Sequence, residues 1–392
     1  MVTSAIHQHE FTCIACNARL KPSKRFSCPR CGELLEITYD LNSRRRAFIT
    51  SLKKPPPYSV WRYRELLPIA DAHPISIGEG GTSLTKSDRL ARELGLTKLY
   101  FKNEGQNPTA SFKDRGMTVV ITRAMELGVR TVLCASTGNT SASMAAYAAK
   151  AGLNASVLIP SGKIAKGKLV QAIIHGARIV KISGNFDAAL KQARRMAEQR
   201  DDVYLVNSLN PYRIEGQKTI SFEIWEQLGK RVPDAVFVPV GNAGNISAIW
   251  KGFRELRDLN MINRTPRMIG VQAAGAAPLA AAYAQGKDRI VPWERPETWA
   301  SAIRIGAPAS WRKALKAVRE SNGSILSATD NEIRRAQKLL ADHEGLFGEP
   351  ASAAAVAGLI KARRTGLVGA HDAITCVITG HGLKDQSIIK QR

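Results

Sequence analysis

The chain has 392 residues, 44% of them apolar, and a formal net charge of +24, which is enough for two α/β lobes and a small appendage with buried cores. No run of about 18 apolar residues occurs, which excludes a helical membrane span, and Met1 to Glu10 lacks the apolar stretch of a secretory signal. The charge raises the question of a nucleic-acid partner, but no block of five or six basic residues is present and aromatics are only 6% of the chain. Charge so dispersed reads as solvated helix faces rather than a stacking platform, so neither nucleic acid nor membrane is an expected partner.

The first segment carries Cys13-x-x-Cys16 and Cys28-x-x-Cys31, eleven residues apart. Each pair suits a tight turn that brings two thiolates to one tetrahedral ion, and four thiolates select zinc over hard cations. Residues 1–40 are too few to build an apolar core, so structural Zn would supply the folding energy of this ribbon. Cys134 and Cys376 lie singly in apolar runs and read as buried core thiols. This usage suits a reducing, cytoplasmic setting. Residues 41–73, with Pro55-Pro56-Pro57 at their centre, read as a linker.

Beyond residue 74 strand-like and helix-like runs alternate. The strand runs are Leu99–Phe101, Thr131–Ala135, Ala155–Ile159, Arg178–Ile182, Val203–Val206, Ala235–Val240, Met268–Gln272 and Ile374–Thr379; Ser141–Ala151 and Phe186–Gln199 are helical. Such alternation predicts an α/β fold with parallel sheets covered by helices, whose ligands meet the carboxyl ends of strands. The expected lobes are 74–104 with 205–392 (large) and 105–204 (small).

Four motifs fall at those strand ends. In Asn107-Pro108-Thr109-Ala110-Ser111-Phe112-Lys113-Asp114-Arg115-Gly116, Pro108, Thr109 and Ser111 can turn and cap the chain, leaving Lys113 near a helix start. The positive end of the helix dipole disfavours its cation and so favours an amine nucleophile. Ser136-Thr137-Gly138-Asn139-Thr140-Ser141 offers N–H groups and hydroxyls to a carboxylate, or else Thr140 or Ser141 simply caps the next helix. Gly241-Asn242-Ala243-Gly244-Asn245 lacks the G-x-G-x-x-G spacing of a dinucleotide site and suits a single phosphate, or is an ordinary glycine turn. Thr379-Gly380-His381-Gly382-Leu383-Lys384-Asp385 puts a neutral hydroxyl at a strand end, with His381 read as structural. One amine and three such loops match the needs of pyridoxal 5'-phosphate (PLP): a lysine, a phosphate cradle, and partners for the ring oxygen and ring nitrogen.

At these residues the sequence resembles the threonine synthases, within the tryptophan-synthase-β-like class of PLP enzymes. The matching runs are 111–115, 136–140, 241–245 and 379–385, with Asn207-Ser208-Leu209-Asn210-Pro211, Arg213, Glu215-Gly216-Gln217-Lys218-Thr219 and Glu349-Pro350-Ala351-Ser352-Ala353-Ala354. The resemblance implies a two-lobed PLP-dependent fold of that class. In it Lys113 bonds to PLP, Asn139 meets the ring oxygen, Gly241, Asn242, Ala243, Gly244 and Asn245 hold the cofactor phosphate, and Thr379 faces the ring nitrogen. Ser136, Thr137 and Thr140 would hold the substrate carboxylate, and Ser208 and Arg213 the substrate phosphate. The implied reaction converts O-phospho-L-homoserine and water to L-threonine and phosphate, by γ-elimination and then β-addition of water, in an expected homodimer. The alternative is a related β-replacement or dehydratase enzyme, such as a cysteate synthase or threonine dehydratase. One departure is visible: the family often has Thr-Pro-Leu where this chain has Thr82-Ser83-Leu84, which is expected to loosen that turn.

Overall fold

A computed structural model describes residues 8–55, 58–70, 73–161, 169–184 and 186–385. Residues 1–7, Pro56 and Pro57 of the proline triplet, and the tail after Asp385 lie outside the described residues. The strands are β1 (Glu10–Cys13), β2 (Arg19–Leu20), β3 (Leu35–Thr38), β4 (Leu84–Ser87), β5 (Lys98–Asn103), β6 (Thr131–Ala135), β7 (Asn154–Pro160), β8 (Arg178–Ile182), β9 (Val203–Leu205), β10 (Ala235–Pro239), β11 (Arg267–Ala273), β12 (Ser324–Ala328) and β13 (Ala373–Ile378). The chain divides into two compact units. The first comprises Met1–Gly81, Asn107–Thr109 and Lys113–Gln217; the second comprises Thr82–Gln106, Ala110–Phe112 and Lys218–Arg392.

The first unit holds two sheets. The ribbon sheet is antiparallel in the order β2-β1-β3. The other is parallel throughout, in the order β8-β7-β6-β9. Parallel strands need long crossovers, and helices such as Asn139–Ala151 and Phe186–Gln199 supply them. The alanine-rich face of Asn139–Ala151 lets that helix lie close on its sheet, burying Met144, Ala145, Tyr147 and Ala148. The ribbon does not stand alone. Phe11, Cys13, Leu35 and Ile37 belong to one apolar cluster with Val119, Tyr147 and Tyr212. A four-cysteine segment too small for its own core therefore borrows one.

The stretch expected as a linker departs from that reading. Leu41–Ser51 is a helix whose first turn is capped by the Asp40 carboxylate, which accepts from the Asn42 and Ser43 amides. Val60–Leu66 forms a 3-10 helix. Both fold because they have something to bury: Phe48, Val60, Tyr63 and Leu66 are fully enclosed. The Arg44 guanidinium, in the densest basic cluster of the sequence, is buried and donates to the carbonyls of Gln8 (2.6 Å), Glu65 (3.0 Å) and Leu67 (3.4 Å).

The second unit has a six-stranded sheet in the order β12-β11-β10-β13-β5-β4, parallel except for the β4–β5 pair. Its core joins Phe237, Ile269 and Cys376 of the strands to Ala353, Val356 and Leu359 of the Pro350–Arg364 helix. Cys376 here and Cys134 in the first unit are both fully buried, as the sequence suggested. The Thr82-Ser83-Leu84 turn is not loose. Thr82 Oγ1 donates to Glu104 (2.7 Å), its carbonyl accepts from Lys102 (2.6 Å) and Gln227 (2.8 Å), and the Ser83 amide donates to Gln106 (2.7 Å). Hydrogen bonds do here what a proline ring would do through its fixed φ.

Candidate active site

Lys113 opens the helix Lys113–Glu126 and is itself half-buried. The residues before it are held on several sides. Ala110 sits at φ +62, a left-handed conformation disfavoured for alanine. Phe112 donates its amide to the Thr379 carbonyl (3.0 Å), and His381 donates its own amide to the Ala110 carbonyl (3.0 Å). Ser111 does not act as the expected side-chain cap. Instead the buried carboxylate of Asp114 accepts from the Thr109 amide (2.6 Å), the Thr109 hydroxyl (2.6 Å) and Ser143 Oγ (2.5 Å). Asp114, next in sequence to the lysine, thereby ties the lysine's helix to the preceding loop and to the neighbouring helix. The Ser111 hydroxyl is buried and has no hydrogen-bond partner among the described residues.

The loops after β6 and β9 lie side by side in the first unit, because those strands pair at Leu133–Leu205. Asn207 fastens the pair beyond the sheet: its amide oxygen accepts from the Ala135 N–H and its NH₂ donates to the Ala135 carbonyl, both at 2.9 Å. Ser136, Thr137, Asn139 and Thr140 are all half-buried there, as is Ser208. The helix cap falls on Gly138, with no side-chain cap, so Thr140 and Ser141 are not spent on that role. Ser141 Oγ donates to the Gly138 carbonyl instead (2.8 Å).

Arg213 lies in the short helix Pro211–Gln217, every residue of which is buried. Its Nη1 donates to the Val206 carbonyl at 3.3 Å, while Nε and Nη2 have no partner among the described residues. Burial brings the guanidinium down to about 10, with Cys134 nearby acting the other way, so it stays charged at neutral pH. A buried cation with two unused donors is costly unless an anion completes it. The Arg213 helix and the Lys113 helix also touch backbone to backbone. A Cβ on Gly216 would lie 1.7 Å from the Arg115 carbonyl oxygen, and one on Gly116 would lie 2.8 Å from the Arg213 carbonyl oxygen. The lysine and the arginine each stand one helical turn before this crossing.

In the second unit the β10 strand runs into the 241–245 turn. Gly241 has no room for a side chain, since a Cβ would meet Ile303 Cα at 3.1 Å and the Ala302 carbonyl at 3.2 Å. Ala243 adopts φ +63 and caps the helix Gly244–Asp258 without a side-chain hydrogen bond. The first-turn N–H groups of that helix therefore face no capping oxygen of its own side chains, the arrangement that favours an anion. Asn245 is buried with both amide atoms unpartnered among the described residues. Asn242 behaves differently: its Oδ1 accepts from the Ala309 amide (3.3 Å) and its carbonyl from Ser310 (3.1 Å), so its side chain holds the turn in place. Thr379, buried at the end of β13, has its hydroxyl 3.0 Å from Ser352 Oγ, which is itself 2.8 Å from the Gly380 amide. His381 is structural: its Nδ1 accepts from the Leu383 amide (3.1 Å) and its ring packs edge-on against Phe347. Sequence reasoning missed Ser352 and Asp114 as supports. The signal for the first lay in the Glu349–Ala354 run, where a serine on a helix reaches the strand end.

The four ribbon cysteines converge. Cys13 and Cys31 sulfurs are 3.4 Å apart, Cys16 and Cys31 3.6 Å, Cys16 and Cys28 3.7 Å, and all four lie within 4.8 Å of one another. A tetrahedral zinc with bonds of about 2.3 Å sets its sulfurs about 3.8 Å apart. Burial opposes the Cys13 anion, but the Cys16 and Ala15 amides outweigh it and bring that thiol down to about 7. The Glu33 amide favours the Cys31 anion, yet the adjoining Cys13, Cys16 and Cys28 sulfurs push it up to about 12. Four sulfurs this close cannot all ionise without a cation, so the donor set fits a thiophilic metal.

Three comparisons bear on the whole. The model of the pyridoxal-phosphate dependent enzyme family matches residues 75–380. A threonine synthase of Methanosarcina acetivorans is 51% identical over 382 residues, 97% of this chain and 93% of that relative. Another from Methanocaldococcus jannaschii is 51% identical over 374 residues, 95% and 92% of the two chains. Among solved structures, tomato threonine deaminase isoform 2 superposes with a TM-score of 0.68 at 22% identity, covering 90% of this chain and 92% of that one. Maize serine racemase superposes with 0.65 at 24%, covering 79% and 90%. Those two likenesses speak for the fold, the α/β architecture of parallel sheets read from the sequence. With the family model spanning the loops from Asn107 to Gly380, and relatives at half identity along nearly the entire length, the chain belongs to the pyridoxal-phosphate-dependent enzymes and, within them, to the threonine synthases.

Proposed function

We propose that the chain converts O-phospho-L-homoserine and water to L-threonine and phosphate, with Lys113 as its catalytic residue. The observation that carries the substrate choice is Arg213, fully buried and holding two unused donors close to the Ser136–Thr140 loop's strand. An unphosphorylated amino acid offers only its carboxylate, which the Ser136–Thr140 loop is proposed to hold, whereas a phosphorylated one brings a second anion for this cation.

PLP, when bound, supplies an electron sink for charge developing at the substrate carbons. The protein's residues do the rest. The Lys113 ε-amine would bond to the cofactor, and its Nζ would then move protons at the substrate carbons. Asn139 would hold the ring oxygen. Gly241, Ala243, Gly244 and Asn245 would hold the cofactor phosphate, with the Asn242 side chain bracing the turn through Ala309. The Thr379 hydroxyl, beside Ser352, would meet the ring nitrogen. Ser136, Thr137 and Thr140 hold the substrate carboxylate. Ser208 and Arg213 hold the substrate phosphate and stabilise it as it leaves, in a dry site where such contacts are strongest. Cys13, Cys16, Cys28 and Cys31 hold structural zinc. The setting we infer is cytoplasmic, and the assembly a homodimer.

Arg213→Gln tests the substrate assignment. We expect KM for O-phosphohomoserine to rise and kcat/KM to fall about 100-fold, the scale of a lost charge-assisted pair, while PLP content stays at wild-type level. Equal loss of PLP would remove Arg213 from the substrate site. Zinc is tested separately by metal analysis: we expect about one zinc per chain, and on its removal a lower thermal midpoint, because the metal replaces a core the ribbon lacks. A metal-free preparation with an unchanged midpoint would reject the structural role.

A further inference from the structure

The Arg213 helix has only seven residues, too few to hold its shape without tertiary support. Its two sides are gripped by different elements of the first unit. Residues three and four apart share a helix face. Arg213, Gly216 and Gln217 face the Lys113 helix through the glycine crossing. Glu215 faces the cysteine ribbon, and Tyr212 lies between the ribbon and the Lys113 helix, whose Arg123 guanidinium stands 5.4 Å from its ring centre. His9 Nε2 hydrogen-bonds to the Tyr212 hydroxyl (2.7 Å), and the rings of His9 and Phe11 meet the Tyr212 ring edge-on at 5.5 and 5.8 Å. Tyr39, one residue past β3, donates its hydroxyl to the Glu215 carboxylate. The ribbon residues are fixed in turn: the Arg44 guanidinium lies 4.1 Å above the Tyr39 ring and binds the Gln8 carbonyl. The arginine's own head is hardly anchored, with one hydrogen bond at 3.3 Å. Its placement therefore depends on the placement of its helix.

We propose that the four-cysteine ribbon is a clamp for the anion site: His9 and Tyr39 are positioning residues that hold the Arg213 helix against the Lys113 helix, so that metal in the ribbon sets the affinity for the substrate phosphate. The proposal rests on the reading of Arg213 as a phosphate ligand. It gives the ribbon a role in recognition, in a place where the ribbon itself touches no substrate. β1 and β3 pair antiparallel from Glu10–Thr38 to Cys13–Leu35, with Cys13 closing β1 and Cys28 and Cys31 shortly before β3; β1 and the residue before it deliver Phe11 and His9, and the end of β3 leads into Tyr39. Loss of the metal would release these three contacts together.

The test uses full-length protein loaded with PLP, so that the cofactor's own phosphate site is filled. Inorganic phosphate is titrated calorimetrically into wild type, Tyr39→Phe, His9→Gln, Glu215→Gln, the Tyr39→Phe/Glu215→Gln double variant, zinc-stripped wild type, and Arg213→Gln. Amide hydrogen exchange of residues 211–217 is followed in each. We expect Tyr39→Phe to weaken phosphate binding roughly tenfold, one hydrogen bond to a charged group. We expect KM to rise with kcat held within about twofold, and exchange at 211–217 to quicken while the β6–β9 strands stay protected. The double variant should bind no worse than Glu215→Gln alone, since the Tyr39 contact is already lost in that single change. Zinc-stripped protein should show both effects more strongly. If Arg213→Gln loses phosphate binding while Tyr39→Phe, His9→Gln and stripped protein all keep wild-type affinity and exchange, the clamp is refuted and the anion site stands. If Arg213→Gln binds phosphate as wild type does, the anion-site reading fails and takes the clamp with it.

Discussion

Lys113→Ala should lose the visible absorbance of the PLP-bound protein and at least about 10⁴-fold in turnover, since on the proposed reading it removes both the covalent attachment and the proton carrier. The size of this effect follows from how the lysine is held. Its helix begins at Lys113 itself, the preceding chain passes through a strained Ala110, and Phe112 and Asp114 on either side are tied by hydrogen bonds of 2.5–3.0 Å. Nothing else in that segment offers a primary amine. Lys113→Arg should fare no better, because a guanidinium keeps the charge but is no nucleophile. Neither change should alter stability by more than about 1 kcal/mol, as the side chain is half-buried and sits at a helix end. Turnover within tenfold of wild type in Lys113→Ala, with the absorbance intact, would place the reacting amine elsewhere.

Much of this site was legible in the sequence because its parts occur where strands end. Strand signals of four to six residues are strong when both faces are buried, and β6 and β10 begin where the pattern predicts. The loops that follow carry glycines and hydroxyls whose chemistry is local, so Lys113, the 136–140 loop and the 241–245 turn could be proposed as candidates from the sequence alone. Three things could not. Asn242 reads as a phosphate ligand by position, yet it spends its side chain on Ala309, sixty-seven residues away in the chain. Asp114 carries no burial signal in the sequence, yet it is fully buried and accepts from Ser143 of a different helix. The 41–73 stretch reads as a linker because of Pro55-Pro56-Pro57, and only the surrounding structure shows what Arg44 and Phe48 bury themselves against. Each is a contact of long sequence separation, to which composition and periodicity are blind. The edge strands β4 and β12 were missed for a related reason: Leu84–Ser87 is half exposed and Ser324–Ala328 has weak alternation, so neither carries a clear burial signal.

The glycine crossing supplies the second large effect. We expect Gly216→Ala to cost about 3 kcal/mol of unfolding free energy, at the upper end of overpacking penalties, and to lower kcat/KM about 100-fold in the protein that remains folded. The new methyl would lie 1.7 Å from the Arg115 carbonyl oxygen, 2.5 Å from its carbon and 2.9 Å from Gly116 Cα. All three are backbone atoms, so no side chain can swing aside, and the two helices must part by more than an ångström. That displacement acts directly on the spacing between Lys113 and Arg213, and misplacement of about 1 Å can cost 10²-fold in rate. Gly116→Ala should be milder, because its Cβ would meet the Arg213 carbonyl oxygen at 2.8 Å and the movable Gln217 amide at 2.9 Å. Gly369→Ala serves as the reference, its Cβ meeting only Asp372 at 3.6 Å, with stability and kcat/KM close to wild type. Urea unfolding and steady-state kinetics on all three variants give the order Gly216, Gly116, Gly369 in both measures if the crossing sets the lysine-to-arginine distance. Stability falling in that order while kcat/KM of the folded fraction stays level would mean the helices can separate without disturbing the chemistry, and the spacing argument would be wrong.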